Sequence, residues 1–147
     1  MDRIDQKTYF MEVAKIVARR GNCFRRQVGA VLTNSHNEIL STGYNGVPRG
    51  MPHCTPETCP RTEKPSGAAM RDVCPAVHAE INALIQCRDI WAIQSLFTTD
   101  SPCLNCITVL LNTSCETIYY IRMYDGRAIT LWQNSGREAY ELSTPVV

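Results

Sequence analysis

At 147 residues, 44% hydrophobic and 20% charged, the chain has the size and composition of one globular domain able to bury a full core. A net charge of +1 argues against strong electrostatic steering to nucleic acid or to an anionic membrane. No apolar run approaches the roughly 18 residues of a membrane span, and the acids in "MDRIDQKTYF" stand where a signal peptide would be basic and then apolar, so a single cytoplasmic domain over residues 1–147 is expected.

Phe10, Val13, Ala14 and Val17 recur at helical spacing and predict a helix over 5–20, stopped at Gly21. Residues 27–34 and 37–45 read as a hairpin turning around Ser35 and His36. From 46 to about 76 the periodicity disappears, and six prolines, three glycines and three cysteines crowd together. A loop of that length inside a compact domain must be functional or pinned by something. Helical spacing resumes at 77, with Ile81, Leu84, Ile85 and Arg88 marking successive turns. A strand over 93–99 follows, then a helix over 102–114 with Pro102 in its first turn. A strand over 116–122, a helix over 128–136 and a strand over 138–142 complete the chain. Helices alternating with strands after a hairpin predict a layered α/β domain with a mixed sheet.

Eight cysteines are many for a chain of this kind. In a reducing compartment their clustering points to metal rather than to disulfides. Cys103 and Cys106 lie three apart at a predicted helix start, which puts both sulfurs on one face. A helix N-terminus favours the thiolate, the form that binds zinc. His78 opens another predicted helix. If the two helix starts meet, zinc gains three protein ligands and keeps a fourth position for water, as catalytic zinc does. Such water ionises near pH 7, and Glu80, two residues after His78, is placed to take its proton. A lone C-x-x-C is a weak signal, and a His beside a Glu is often only a solvated helix start. Together, "HAE" (78–80) and "PCLNC" (102–106) form the H-x-E and P-C-x-x-C signature of zinc-dependent nucleobase deamination. Cys23, Cys54, Cys59 and Cys74 lie in or just before the long loop, where a closed second zinc would pin a segment too polar to fold by burial. His53 could replace one of the four. Cys87 and Cys115 read as small core residues.

With "RRQVGAVL" (25–32), "STGYNGVPRG" (41–50), "VHAEINAL" (77–84) and "SPCLNC" (101–106), the chain resembles the cytidine deaminase superfamily, and within it the deoxycytidylate (dCMP) deaminases, over nearly its whole length. The resemblance implies a three-layer α/β/α sandwich around a mixed five-stranded sheet. It implies hydrolysis of dCMP to dUMP and ammonia, with His78, Cys103 and Cys106 on zinc and Glu80 as proton carrier. Asn45 would bond the sugar, although an asparagine before glycine is also common in turns. The backbone at Ala79 and Ser101 would read the base edge, and Tyr124 would line the pocket. Arg25, Arg26 and Arg122 are candidates for the phosphate. The resemblance also implies a homohexamer activated by dCTP and inhibited by dTTP, with Mg2+ accompanying the triphosphate and Gly43, Tyr44, Gly46 and Arg49 in the effector loop. Cys23 and Cys54 fall where ligands of a structural zinc stand in several such enzymes. Asp89, preceded by Arg88, stands where some members carry arginine, a departure that bears on subunit contacts.

Two other readings compete. A nucleic-acid-editing deaminase shares the zinc signature but needs a basic surface, which a charge of +1 does not supply. A non-catalytic, zinc-stapled nucleotide-binding module would have no need of Glu80.

Overall fold

Side chains that alternate along strands must find an apolar layer on each face of the sheet. The computed structural model describes residues 1–60 and 74–143. Their elements run α1 (Gln6–Ala18), β1 (Gly29–Thr33), β2 (Ile39–Tyr44), α2 (Ala79–Gln86), β3 (Ser95–Asp100), α3 (Leu104–Leu110), β4 (Thr117–Arg122), α4 (Gly126–Asn134) and β5 (Glu138–Glu141). The strands form one sheet in the order β2-β1-β3-β4-β5. β1 is antiparallel to both β2 and β3. β3, β4 and β5 run parallel.

Ala30, Leu32, Leu96 and Ile118 face one side and pack among side chains of α2, α3 and α4, including Ala83, Ile107 and Trp132. The intervening Val31 and Phe97 face the other side and meet Phe10, Met11 and Ala14 of α1. The result is the expected three-layer α/β/α sandwich with a mixed five-stranded sheet. Its parallel half follows from the β-α-β crossovers through α3 and α4, which cover one face of the sheet, while α1 covers the other.

Several local expectations shift. α1 ends at Ala18 and is capped by Arg19, short of the predicted stop. Its other end is fixed by Asp5, whose carboxylate accepts from Thr8 N at 2.8 Å. α3 is shorter than 102–114: Cys103 is its N-cap, so Pro102 stands outside the helix. Its C-terminal extension fails because Thr113 and Ser114 bond the backbone instead, Thr113 Oγ1 donating to Leu110 O at 2.7 Å and Ser114 Oγ to Ile93 O at 2.7 Å. Ile85 marks a turn of α2 but is 72% exposed, on the face away from the core.

The long loop predicted over 46–76 is described up to residue 60 and again from 74, its middle lying outside the described residues. Its ends are stapled together: Gly46 N donates to Val77 O at 3.1 Å and Val77 N to Gly46 O at 2.8 Å. No described helix is long and apolar enough to cross a membrane.

Strand directions gather one rim of the sheet. The N-terminal end of β1 and the C-terminal ends of β2, β3 and β4 all lie there, with the starts of α2 and α3 beside them. Open α/β sheets place ligands at such a rim.

Candidate active site

Two helix N-caps converge at this rim. His78 caps α2 and Cys103 caps α3, both with extended backbone and neither using its side chain to cap. Cys106 is the third residue of α3. The His78 Nδ1 atom lies 3.4 Å from each of the two sulfurs. One ligand atom from each residue lies within 4.8 Å of the other two. Both cysteines are buried, whereas His78 is exposed.

The Cys103 thiol is pulled down to about 4, chiefly by the hydrogen bond from Cys106, with His78 assisting. Cys106 moves up, as the donor in that hydrogen bond and through burial. The sulfurs therefore compete for protons in a small pocket. One imidazole nitrogen and two sulfurs are the soft, mixed N/S donor set that zinc prefers. The residues fit the ion.

Glu80 is 4% exposed. Its pKa is raised by burial, opposed by its own backbone N–H, by His78 and by a hydrogen bond from Cys106. The carboxylate thus touches the ligand cluster from the first turn of α2. His78, Glu80 and Cys103 line a cavity of about 370 Å³.

Asn45, Ala79, Ser101, Tyr124 and Arg26 line the same cavity. Asn45 is already engaged: Oδ1 accepts from Val28 N at 2.9 Å and Nδ2 donates to Arg26 O at 2.8 Å. Each amide group of an asparagine keeps one further bonding position. The Ser101 N–H donates to Arg122 O at 2.8 Å, so at that residue only the carbonyl remains on the backbone for a base edge. Its hydroxyl accepts from Tyr124 N at 2.7 Å and Asp125 N at 3.3 Å, tying the turn after β4 to the start of α3. The Arg26 guanidinium lies over the Tyr124 ring, 3.9 Å from its centroid.

The four cysteines of the long loop also reach this cavity, as Cys23, Cys54, Cys59 and Cys74 all line it. Burial raises the Cys54 pKa, and the nearby Cys59, Cys74 and Cys23 raise it further. Cys54 thus feels the other three thiols, whereas among the described residues only His78, Cys103 and Cys106 bring their ligand atoms within 4.8 Å of one another. Cys115 is fully buried and Cys87 half-buried against the core.

Gly43, Tyr44, Gly46 and Arg49 are not among the cavity-lining residues. Gly43 lies where α2 crosses β2, and a Cβ there would stand 2.3 Å from both Ala79 O and Ala83 N. Gly46 is pressed against Asn22, whose Oδ1 would lie 2.4 Å from a Cβ.

Sequence reasoning missed Asp100. It is buried at the end of β3, lines the cavity, and accepts from Arg26 Nε at 2.5 Å and Arg122 Nε at 2.7 Å. The available signal was an acid ending the apolar run "SLFTTD" immediately before "SPC".

Comparison with known proteins places this geometry among relatives. Residues 4–122 match the cytidine and deoxycytidylate deaminase zinc-binding region. A deoxycytidylate deaminase of Mycobacterium phage D29 is 36% identical over 130 residues, covering 82% of this chain and 97% of that one. The deoxycytidylate deaminase of Schizosaccharomyces pombe is 34% identical over 143 residues, 94% of this chain, and the chain spans only 44% of its length. The dCMP deaminase of cyanophage S-TIM5, solved with dCMP and dUMP, superposes with a TM-score of 0.78 at 26% identity, covering 97% of this chain and 100% of that one.

Proposed function

The chain belongs to the cytidine and deoxycytidylate deaminase family, and from that membership we propose that residues 1–147 act as one catalytic domain hydrolysing dCMP to dUMP and ammonia. The observation that carries the reading is the meeting of His78, Cys103 and Cys106 within 4.8 Å, with buried Glu80 against them. His78, Cys103 and Cys106 would hold a zinc ion, which when bound supplies Lewis-acid activation of water at neutral pH. Glu80, as carboxylate, accepts the proton of the attacking water. It delivers that proton to ring N3 as the oxygen joins C4. It then takes the second proton, from the hydroxyl now on C4, and passes it to the exocyclic amine, so that the C4–N bond breaks, ammonia leaves and the oxygen remains as the C4 carbonyl. Asn45 offers its spare amide positions to the sugar. Ala79 and Ser101 present backbone to the base edge, Tyr124 and Arg26 close the pocket, and burial around Glu80 keeps bulk water from competing for the proton.

Cys23, Cys54, Cys59 and Cys74 would hold a second, structural zinc, a role supported by their lining one cavity and by the influence of the other three on Cys54; His53, beside Cys54, is the substitute ligand. dCTP as activator and dTTP as inhibitor, carried with Mg2+ by the loop of Gly43, Tyr44, Gly46 and Arg49, and a homohexameric assembly complete the reading by analogy with the family.

The test is ammonia release from dCMP, CMP, dCTP, deoxycytidine and a cytosine oligonucleotide, with and without dCTP and dTTP. Turnover should be greatest on dCMP and absent from Glu80→Ala, which retains its zinc. Preference for the oligonucleotide would replace this function with nucleic-acid editing, and turnover on none of them would leave a binding module.

A further inference from the structure

We propose that Asp100 is a positioning residue of a phosphate subsite, holding the guanidinium of Arg26, which lines the cavity, on one carboxylate oxygen and that of Arg122, which lies outside the cavity lining, on the other, so that Arg26 grips the 5′-monophosphate of a nucleotide. The proposal rests on the nucleotide reading above and names the part of the chain that would distinguish nucleotide from nucleoside.

The fold brings these groups together from three strands. Asp100 ends β3 directly across from Arg122 on β4, and Arg26 stands three residues before β1, which pairs with β3 on its other side. The Asp100 carboxylate is almost fully buried, its side chain 5% exposed, while those of Arg26 and Arg122 are 39% and 65% exposed. A buried carboxylate requires a compensating charge, but one arginine meets that need. Here each carboxylate oxygen takes the Nε of a different arginine. Both ion pairs engage Nε, so the two Nη groups of each arginine, four of its five N–H donors, lie outside the pair.

Arg26 is fixed a second time by its stack on Tyr124. A guanidinium with a set plane matches two phosphate oxygens at once. The charges also agree. Two arginines and one aspartate sum to +1. A phosphate monoester carries about −1.5 to −2 at pH 7. One cavity is thus lined by His78 and Glu80 for the base and by Arg26 and Asp100 for the phosphate.

The bland alternative is an Arg–Asp–Arg staple that only ties β1, β3 and β4. Calorimetric titration with dUMP and with deoxyuridine separates the two, using zinc-loaded wild type, Asp100→Asn and Arg26→Gln. Wild type should bind dUMP far more tightly than deoxyuridine. Asp100→Asn should cut that preference at least about tenfold and Arg26→Gln by a similar factor or more, with KM for dCMP rising more than kcat falls. Arg26→Lys, which keeps the charge but loses the fork, should recover only part of the preference. Arg26 is exposed enough for its variants to fold should Asp100→Asn fail to. Equal weakening of dUMP and deoxyuridine in the variants would reduce the cluster to a staple and overturn the subsite. A wild type that deaminates no cytosine nucleotide yet binds dUMP in preference to deoxyuridine would end the proposed function and leave the subsite standing.

Discussion

Burial disfavours the charged form of Glu80 and raises its pKa, while the proposed chemistry needs that charge. A carboxyl whose folded pKa lies above its unfolded value of about 4.3 binds its proton more tightly in the folded chain. Folding is then favoured at low pH and penalised as pH rises past the unfolded value, the penalty being complete above the folded pKa. Glu80→Gln removes it. Turnover should drop about 10²–10⁴-fold, yet stability at pH 7 should rise by about 1 kcal/mol, or about 2–4 °C. The gain should vanish near pH 4, where wild type is neutral as well. Thermal melts of the zinc-free protein at the two pH values check this, and a less stable variant at pH 7 would contradict it.

At this scale the sequence was most informative where chemistry and spacing are both local. His78 with Glu80, and Cys103 with Cys106, each occupy one turn at a helix start, so their faces follow from helical geometry. Asp100 was illegible for the opposite reason. Its meaning depends on Arg26, 74 positions away, and on Arg122 in the register of a neighbouring strand. Asn45 illustrates a third case, where the turn residue suggested by "YNG" also fastens β1, through Val28 N and Arg26 O.

Among the elements, α2 does most to set the site, since its first residues carry both the imidazole and the carboxylate. Its position is fixed by contact with β2 at Gly43. Gly43→Ala would force the helix outward, because the contact is with backbone atoms that cannot rotate aside. Overpacking of this kind costs about 1–3 kcal/mol. The variant should melt earlier and lose zinc to a chelator faster, in the absence of any nucleotide effector. Unchanged stability and zinc retention would show that α2 yields freely. The hairpin and the alternation of later helices and strands were readable from periodicity. The end of α3 was not, because Thr113 and Ser114 interrupt an apolar pattern by hydrogen-bonding to distant or preceding carbonyls. Nor was the strand order: β1 sits between β2 and β3 through a pairing with β3 that joins residues more than 60 positions apart in the chain.

For the molecule as a whole, both cysteine groups open on one cavity. Cys74 lies four residues before His78, and Val77 between them is bridged to Gly46. A metal on the four loop cysteines would therefore hold the chain that leads into the catalytic helix. Zinc analysis should give two ions per chain, and Cys23→Ser should give one. That loss should cost about 3–4 kcal/mol where free zinc exceeds its Kd by 100–1,000-fold, and activity should fall with it. A variant keeping two ions would remove Cys23 from the ligand set.

Among the described residues the candidate site sits at one rim of the sheet, and the turn over residues 34–38 hangs from the opposite one. There Asn34 Oδ1 accepts from His36 N and Glu38 N, and Asn37 takes a left-handed φ of 60°, a closed arrangement that makes no use of the cavity. A dye, affinity handle or surface tether grafted onto that turn would leave the cavity rim facing away from the attachment.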